Sequence, residues 1–239
     1  MKISAFTVSN SKTAQIGNNR NKLTFTGVSN TSKLIVLLDR MGYAAKDAEF
    51  IANDIYKTYS NPQRGYHGIK HIKSMLESFD SFIQENHSDL IIKNADTFRF
   101  AILMHDYING ESDEVEKSAL KAKEFLHKIS DNYDTSYVED LILATNYSKK
   151  QNLNFEQQLM QDIDIEILGK PDAEYKEYSK AIRLQYANYS DEVFKPARIK
   201  VLKSFLDKKR IYNTRYYQDK YEYQARKNIR NEIESLMSR

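Results

Sequence analysis

The chain has histidines at positions 67, 71, 87, 105 and 127. Imidazole titrates nearest neutrality and is a common nitrogen ligand for metals, so these positions carry the first chemical expectations. His87 and His127 sit among polar residues and read as solvent-facing. His67 and His71 are four apart, so they share one side of a helix if that helix already runs through Tyr66-His67-Gly68. His71 is in register with Met75 and Leu76, which turns its ring inward, where it needs a hydrogen bond or a metal. His105 and Asp106 close the apolar run Phe100–Met104. Neighbours on a helix point ~100° apart, yet at a last turn loosening through Tyr107-Ile-Asn-Gly110 both can reach one cation. An imidazole nitrogen and a carboxylate oxygen suit Zn, Mn, Fe, Co or Ni. As a dipeptide the pair has little specificity.

Further along, Met160-Gln-Asp162-Ile-Asp164-Ile-Glu166-Ile-Leu168-Gly169 alternates acids with aliphatics, as a strand would. On a helix Asp162 and Asp164 point ~200° apart, so that one faces inward and the other is solvated. Asp164 lies four residues from both Met160 and Leu168, on the apolar side. An inward carboxylate requires a counter-charge, supplied by a salt bridge or by a metal. The C-terminal stretch interleaves bases with tyrosines, among them Arg210, Tyr212, Arg215, Tyr216, Tyr217, Lys220, Tyr221, Tyr223 and Arg226. Such a stretch can bind single-stranded nucleic acid, or it can be an amphipathic helix that half-buries its tyrosines and wets its cations.

Helices are the elements that would position these groups. Phe50, Ile51, Ile55, Tyr56 and Tyr59 mark one apolar face, and Ile72, Met75, Leu76, Phe79 and Ile83 the next. Phe98, Ala101, Ile102 and His105 follow, then Val115, Ala119, Ala122, Leu126 and Ile129, then Val138, Leu141, Ile142 and Thr145. Each set has the i, i+3, i+4, i+7 spacing of an amphipathic helix. Asp113, Asp134, Asp172, Asp191 and Asp219 precede helical runs, where carboxylates satisfy free amides and meet the helix dipole. The expected fold is all-α, a bundle of about eight or nine helices in one domain over 34–239, preceded by a poorly ordered polar tail over 1–33.

Composition agrees with such a domain: of 239 residues, 41% are apolar and 29% charged. Three prolines and seven glycines are too few for an all-β or low-complexity chain. The absence of cysteine excludes disulfide frameworks, thiolate zinc sites, iron–sulfur clusters and cysteine nucleophiles. No apolar run approaches the ~20 residues of a membrane span, and the expected location is the cytoplasm. Charge is uneven: residues 1–33 carry five bases and no acid, and 195–239 carry thirteen bases against five acids. With +3 overall, the middle of the chain is acidic, which suits holding a cation and argues against a nucleic-acid-coating protein.

Taken in order, His71, His105-Asp106 and Asp164 resemble the HD superfamily of metal-dependent phosphohydrolases. The likeness is to a branch that opens on Arg-x-Tyr-His-x-x-x-His, here Arg64-Gly-Tyr66-His67-Gly-Ile-Lys-His71. It continues through His105-Asp106-Tyr107, Ser118-Ala119, Ile142-Leu-Ala-Thr145 and Asp162-Ile-Asp164-Ile-Glu-Ile-Leu168-Gly169. Tyr175-x-x-Tyr178, Ile182-Arg183-x-x-Tyr186, Arg198-x-x-Val201-Leu202, Arg210-Ile-Tyr212-x-Thr214 and Ala225-Arg226-x-Asn228 complete it, so that residues 50–236 are covered. Many short matches keep their order and spacing.

The resemblance implies an HD-type helical bundle holding one divalent ion (Mn, Fe, Co, Ni, Zn or Mg) on His71, His105, Asp106 and Asp164, with Asp162 as companion or substitute for Asp164. It implies hydrolysis of a nucleotide or small phosphate ester, with Arg64, Arg183, Arg198 and Arg226 as candidate phosphate-binding groups, surface salt bridging being the competing account for the last three. His67 is a group that orients a ligand, a phosphate-facing donor, or a histidine that stabilises a turn. The leaving group's proton comes from His67 or from an acid among Glu111, Asp113, Glu114 and Glu116. Three departures stand out. Glu114-Val115 replaces an Asn-Glu pair, Asn146-Tyr147-Ser148 lacks the branch's histidine, and Gln185 stands where glutamate is usual. They leave room for an alternative, an HD scaffold that binds metal or nucleotide without hydrolysis.

Overall fold

A computed structural model describes residues 30–86, 92–147, 149 and 151–238. Ten α-helices and no strand occur among the described residues, the all-α fold that the periodicity predicts. The expected tail lies outside the described residues as far as position 29, as does His87. Residues 30–33 were expected in that tail but instead open the first helix.

The described residues fall into two compact units. One holds the chain up to Asn61 together with Gly68–Gln151. It contains α1 (Asn30–Arg40), α2 (Ala45–Tyr59), α3 (Ile69–Asn86), α4 (Ala95–Met104), α5 (Glu114–Leu126) and α6 (Ser136–Ala144). α4 is its axis: Thr97 to Met104 are buried without a break, and α1, α3, α5 and α6 all pack on it. The side chain of Asn94 starts α4 by accepting a hydrogen bond from the Thr97 amide at 2.9 Å. Against α3, Phe98 stacks on Phe79 with ring centres 4.3 Å apart. Beside that stack the buried Arg99 donates to Asp80 through Nε (2.9 Å) and Nη2 (2.6 Å). These contacts fix α3 against α4 and therefore whatever the two helices carry at their ends.

The expected faces need three corrections. On α2, Ile51, Ile55 and Tyr59 are buried, but Phe50 and Tyr56 are exposed, because a helix covered on one side hides a narrower stripe than five such residues span. Helix α3 begins only at Ile69, after the Gly65–Gly68 turn, so His67 and His71 do not share a helix. Gly65 sits at φ +56°, a backbone state that favours glycine, which is why the chain turns there. Asp219, expected at a helix start, lies inside α10 and pairs with Arg215 one turn earlier.

The other unit holds Pro62–His67 and the chain from Asn152 on. After a 3-10 turn at Pro62–Arg64 it contains α7 (Phe155–Asp164), a second 3-10 turn (Glu166–Gly169), α8 (Asp172–Gln185), α9 (Asp191–Leu206) and α10 (Arg215–Met237). α7 opens with a reciprocal cap, in which the Gln157 amide donates to Asn154 Oδ1 and the Asn154 amide to Gln157 Oε1. α10 lies close on the second 3-10 turn. A Cβ on Gly169 would come within 2.5 Å of Tyr221 Cβ and 2.9 Å of the Tyr221 carbonyl oxygen. The C-terminal tyrosines build this packing. Tyr212 and Tyr217 are fully buried, and Tyr217 and Tyr221 donate to the buried Glu166 at 2.8 and 3.1 Å, beside Lys170.

Candidate metal centre

His71 enters from the first turn of α3, and His105 stands at the C-terminal cap of α4 with Asp106 directly after it. All three are buried, and they offer three ligand atoms close together. His71 Nε2 and His105 Nε2 are 3.3 Å apart, His105 Nε2 and Asp106 Oδ2 3.1 Å, and His71 Nε2 and Asp106 Oδ2 3.7 Å. Donors bound at ~2.0–2.2 Å to one ion lie ~3–3.6 Å from each other. Two of the three separations fall in that range and the third exceeds it by 0.1 Å, so the cluster could hold a metal ion.

One hydrogen bond decides the electrostatics. His105 Nδ1 lies 2.8 Å from the Ile102 carbonyl oxygen, which can only accept, so Nδ1 carries the proton. In the neutral ring Nε2 is then a lone pair, and it faces a carboxylate oxygen at 3.1 Å. A buried pair of this kind is satisfied by a cation between the two atoms or by a second proton on the ring. The Ile102 carbonyl also holds the ring at the angle that aims Nε2 at the centre.

The backbone beyond Asp106 is held from two sides. Tyr107 donates its phenol to Asp54 on α2 and meets Phe125 edge-on, with ring centres 5.8 Å apart. Ser118, from the Ser-Ala match, accepts from the Ile108 amide at 3.0 Å. Asp54 reads in the sequence as one polar residue among helical neighbours, so nothing there signals this contact.

Of the candidate acids, Glu114 accepts from the Gly110 amide at 2.9 Å and Glu111 pairs with Lys117 at 2.7 Å. Glu116 accepts from Asn146 and Lys149, and the Lys149 bond is the chief reason its pKa is lowered. Asp113 precedes α5 in the left-handed region at φ +56°, without the side-chain cap expected of it.

The remaining predicted residues belong to the other unit. His67 is buried; its Nδ1 is 3.2 Å from Gln185 Nε2, and Arg64 Nη1 donates to its carbonyl at 3.4 Å. These contacts fit the turn-stabilising role. Asp162 and Asp164 end α7, and both are buried, contrary to the expectation that one is solvated. The reason is that the chain entering α10 covers Asp162. Its Oδ1 accepts from the Asn213 amide (2.7 Å) and Nδ2 (3.1 Å), and its Oδ2 from the Thr214 amide and hydroxyl (both 2.7 Å). Burial pushes the Asp162 pKa up to about 6, and those four donors pull against it. Asp162 thus anchors the start of α10. Asp164 lies near Tyr178, whose phenol is pushed up to about 12 mainly by burial.

Each candidate phosphate-binding arginine has local partners. Arg198, buried, holds Glu232 with Nε at 2.8 Å and Nη2 at 3.0 Å, and Tyr175 donates to the same carboxylate at 2.5 Å. Arg226 binds Glu222 and donates to the carbonyls of Leu206, Lys208 and Lys209, closing the end of α9. Arg183 binds Asp191 and the carbonyls of Tyr186 and Tyr189. Among the described residues, no helix is long and apolar enough to cross a membrane. The chain matches no protein-family model, no curated protein and no solved structure.

Proposed function

We propose that the protein is a metal-dependent phosphohydrolase acting on a nucleotide or another small phosphate ester, with His71, His105 and Asp106 in its metal centre. The observation that carries the metal is the buried cluster in which His71 Nε2, His105 Nε2 and Asp106 Oδ2 lie 3.1–3.7 Å from one another. The phosphate ester as substrate rests on the resemblance to HD phosphohydrolases. Two imidazoles and one carboxylate suit Mn, Fe, Co, Ni or Zn better than Mg, which prefers oxygen ligands.

Three donors leave coordination positions for water and a substrate oxygen. A divalent ion, when bound, lowers the pKa of water from ~15.7 toward ~7 and offsets charge developing on the phosphoryl group. The chain's own residues supply the rest. Ile102 fixes the tautomer of His105, and the anchored Tyr107 and Ser118 hold the backbone beside Asp106. In the reaction a water oxygen adds to phosphorus, the ester P–O bond breaks, and the departing oxygen takes a proton. Candidate donors of that proton within the same unit are the acids Glu111, Asp113, Glu114 and Glu116.

The test is metal content after purification without chelators or a histidine tag, followed by assay against phosphomonoesters and nucleotides with Mn, Co, Ni, Mg or Zn. About one equivalent of metal is expected, lost together with phosphate release in His105→Ala and Asp106→Ala variants that keep their helical circular dichroism. Retention of metal and turnover by Asp106→Ala would rule out this centre. Bound nucleotide without phosphate release under every metal would leave a binding protein in place of the enzyme.

A further inference from the structure

The exposed side of α10 has a composition that folding does not require. At ~100° per residue, Tyr216, Lys220, Tyr223, Lys227 and Arg230 fall within an arc of about 80°, opposite the buried Ala225, Asn228 and Glu232. Their spacing of four, three, four and three makes one straight line about 21 Å long. Tyr223, in the middle of that line, is 82% exposed, and Lys227 and Arg230 are exposed too. Lys220 donates to the Tyr216 hydroxyl at 2.7 Å and lies 4.8 Å from that ring's centre, so cation and ring form one surface. Asp219 pairs with Arg215 at 2.6 Å and Glu222 with Arg226 at 2.7 Å, and Glu234, one turn beyond Arg230 on the same arc, sets one carboxylate against the line's three cations. A net positive charge therefore remains along it.

We propose that this line of α10 binds single-stranded nucleic acid, with Lys220, Lys227 and Arg230 on phosphates and Tyr223 stacking on a base. Cations contact a sugar–phosphate chain, and exposed rings between them take bases regardless of sequence. An acidic polypeptide would use the cations and leave the rings idle. A membrane surface would call for Leu, Ile, Phe or Trp, and the line has none. The proposal does not rest on the metal centre.

The experiment is fluorescence anisotropy of a labelled twelve-nucleotide oligouridine titrated with the full chain. Binding at 50 mM salt is expected, with log K falling steeply against log salt. Tyr223→Ala should weaken it about five-fold or more. Lys220→Gln with Lys227→Gln should reduce the salt slope by about 1.4. His105→Ala should bind the oligonucleotide as the parent does, which keeps this outcome separate from that of the metal reading. No binding at 50 mM salt, unchanged affinity in a folded Tyr223→Ala, or equal competition by polyglutamate would each overturn the proposal.

Discussion

Two carboxylates, two positions apart at the end of α7, have different surroundings, and substitution at 162 tests the structural role of one of them. Asp162 accepts four hydrogen bonds from Asn213 and Thr214. Asp162→Asn would turn an amide NH2 toward some of those donors, so a loss of about 2–3 kcal/mol is expected in chemical denaturation, with metal content unchanged. The donor types at positions 71, 105 and 106 were legible in the sequence, because a histidine in an apolar register and a His-Asp pair at a helix end are local patterns. The proton on His105 Nδ1 was not, since it is set by where the Ile102 carbonyl lies once α4 ends. Arg198 shows the same limit. A basic residue in a family-like motif reads as a phosphate ligand until Glu232, thirty-four positions away, is found against it.

Among the elements, α10 depends most on a single residue elsewhere. It packs on the 3-10 turn at Glu166–Gly169 so closely that a methyl group at 169 would meet both the side chain and the backbone of Tyr221. Gly169→Ala is therefore expected to destabilise the protein by about 1–3 kcal/mol, lowering the thermal midpoint. A variant as stable as the parent would mean that α10 can back away at little cost. The helices themselves were readable from their apolar period, but their starts were not. α3 begins after His67 because Gly65 turns the chain, and Asp219 sits mid-helix because α10 starts at Arg215. The tyrosines of α10 divide by position: Tyr217 is in the core and Tyr223 in water, a split fixed by which side meets the 3-10 turn.

Across the whole molecule, the three ligand atoms belong to one of two compact units, so metal should act unevenly on the chain. At about a hundred times its dissociation constant, an ion that binds only the folded state adds about 2.7 kcal/mol. Hydrogen exchange with and without Mn is expected to slow chiefly over Ile69–Leu76 and Phe100–Ile108. No slowing in those two segments would remove the metal. The primary order alone determined an all-α chain and the candidate donors, because helical periodicity and residue chemistry survive in a linear reading. Only the tertiary structure decided that His71 meets His105 and Asp106 while Asp162 and Arg198 are bound into packing. Convergence depends on how α3 lies across α4 and how α10 closes on α7, and those angles come from contacts between distant residues that no local pattern encodes.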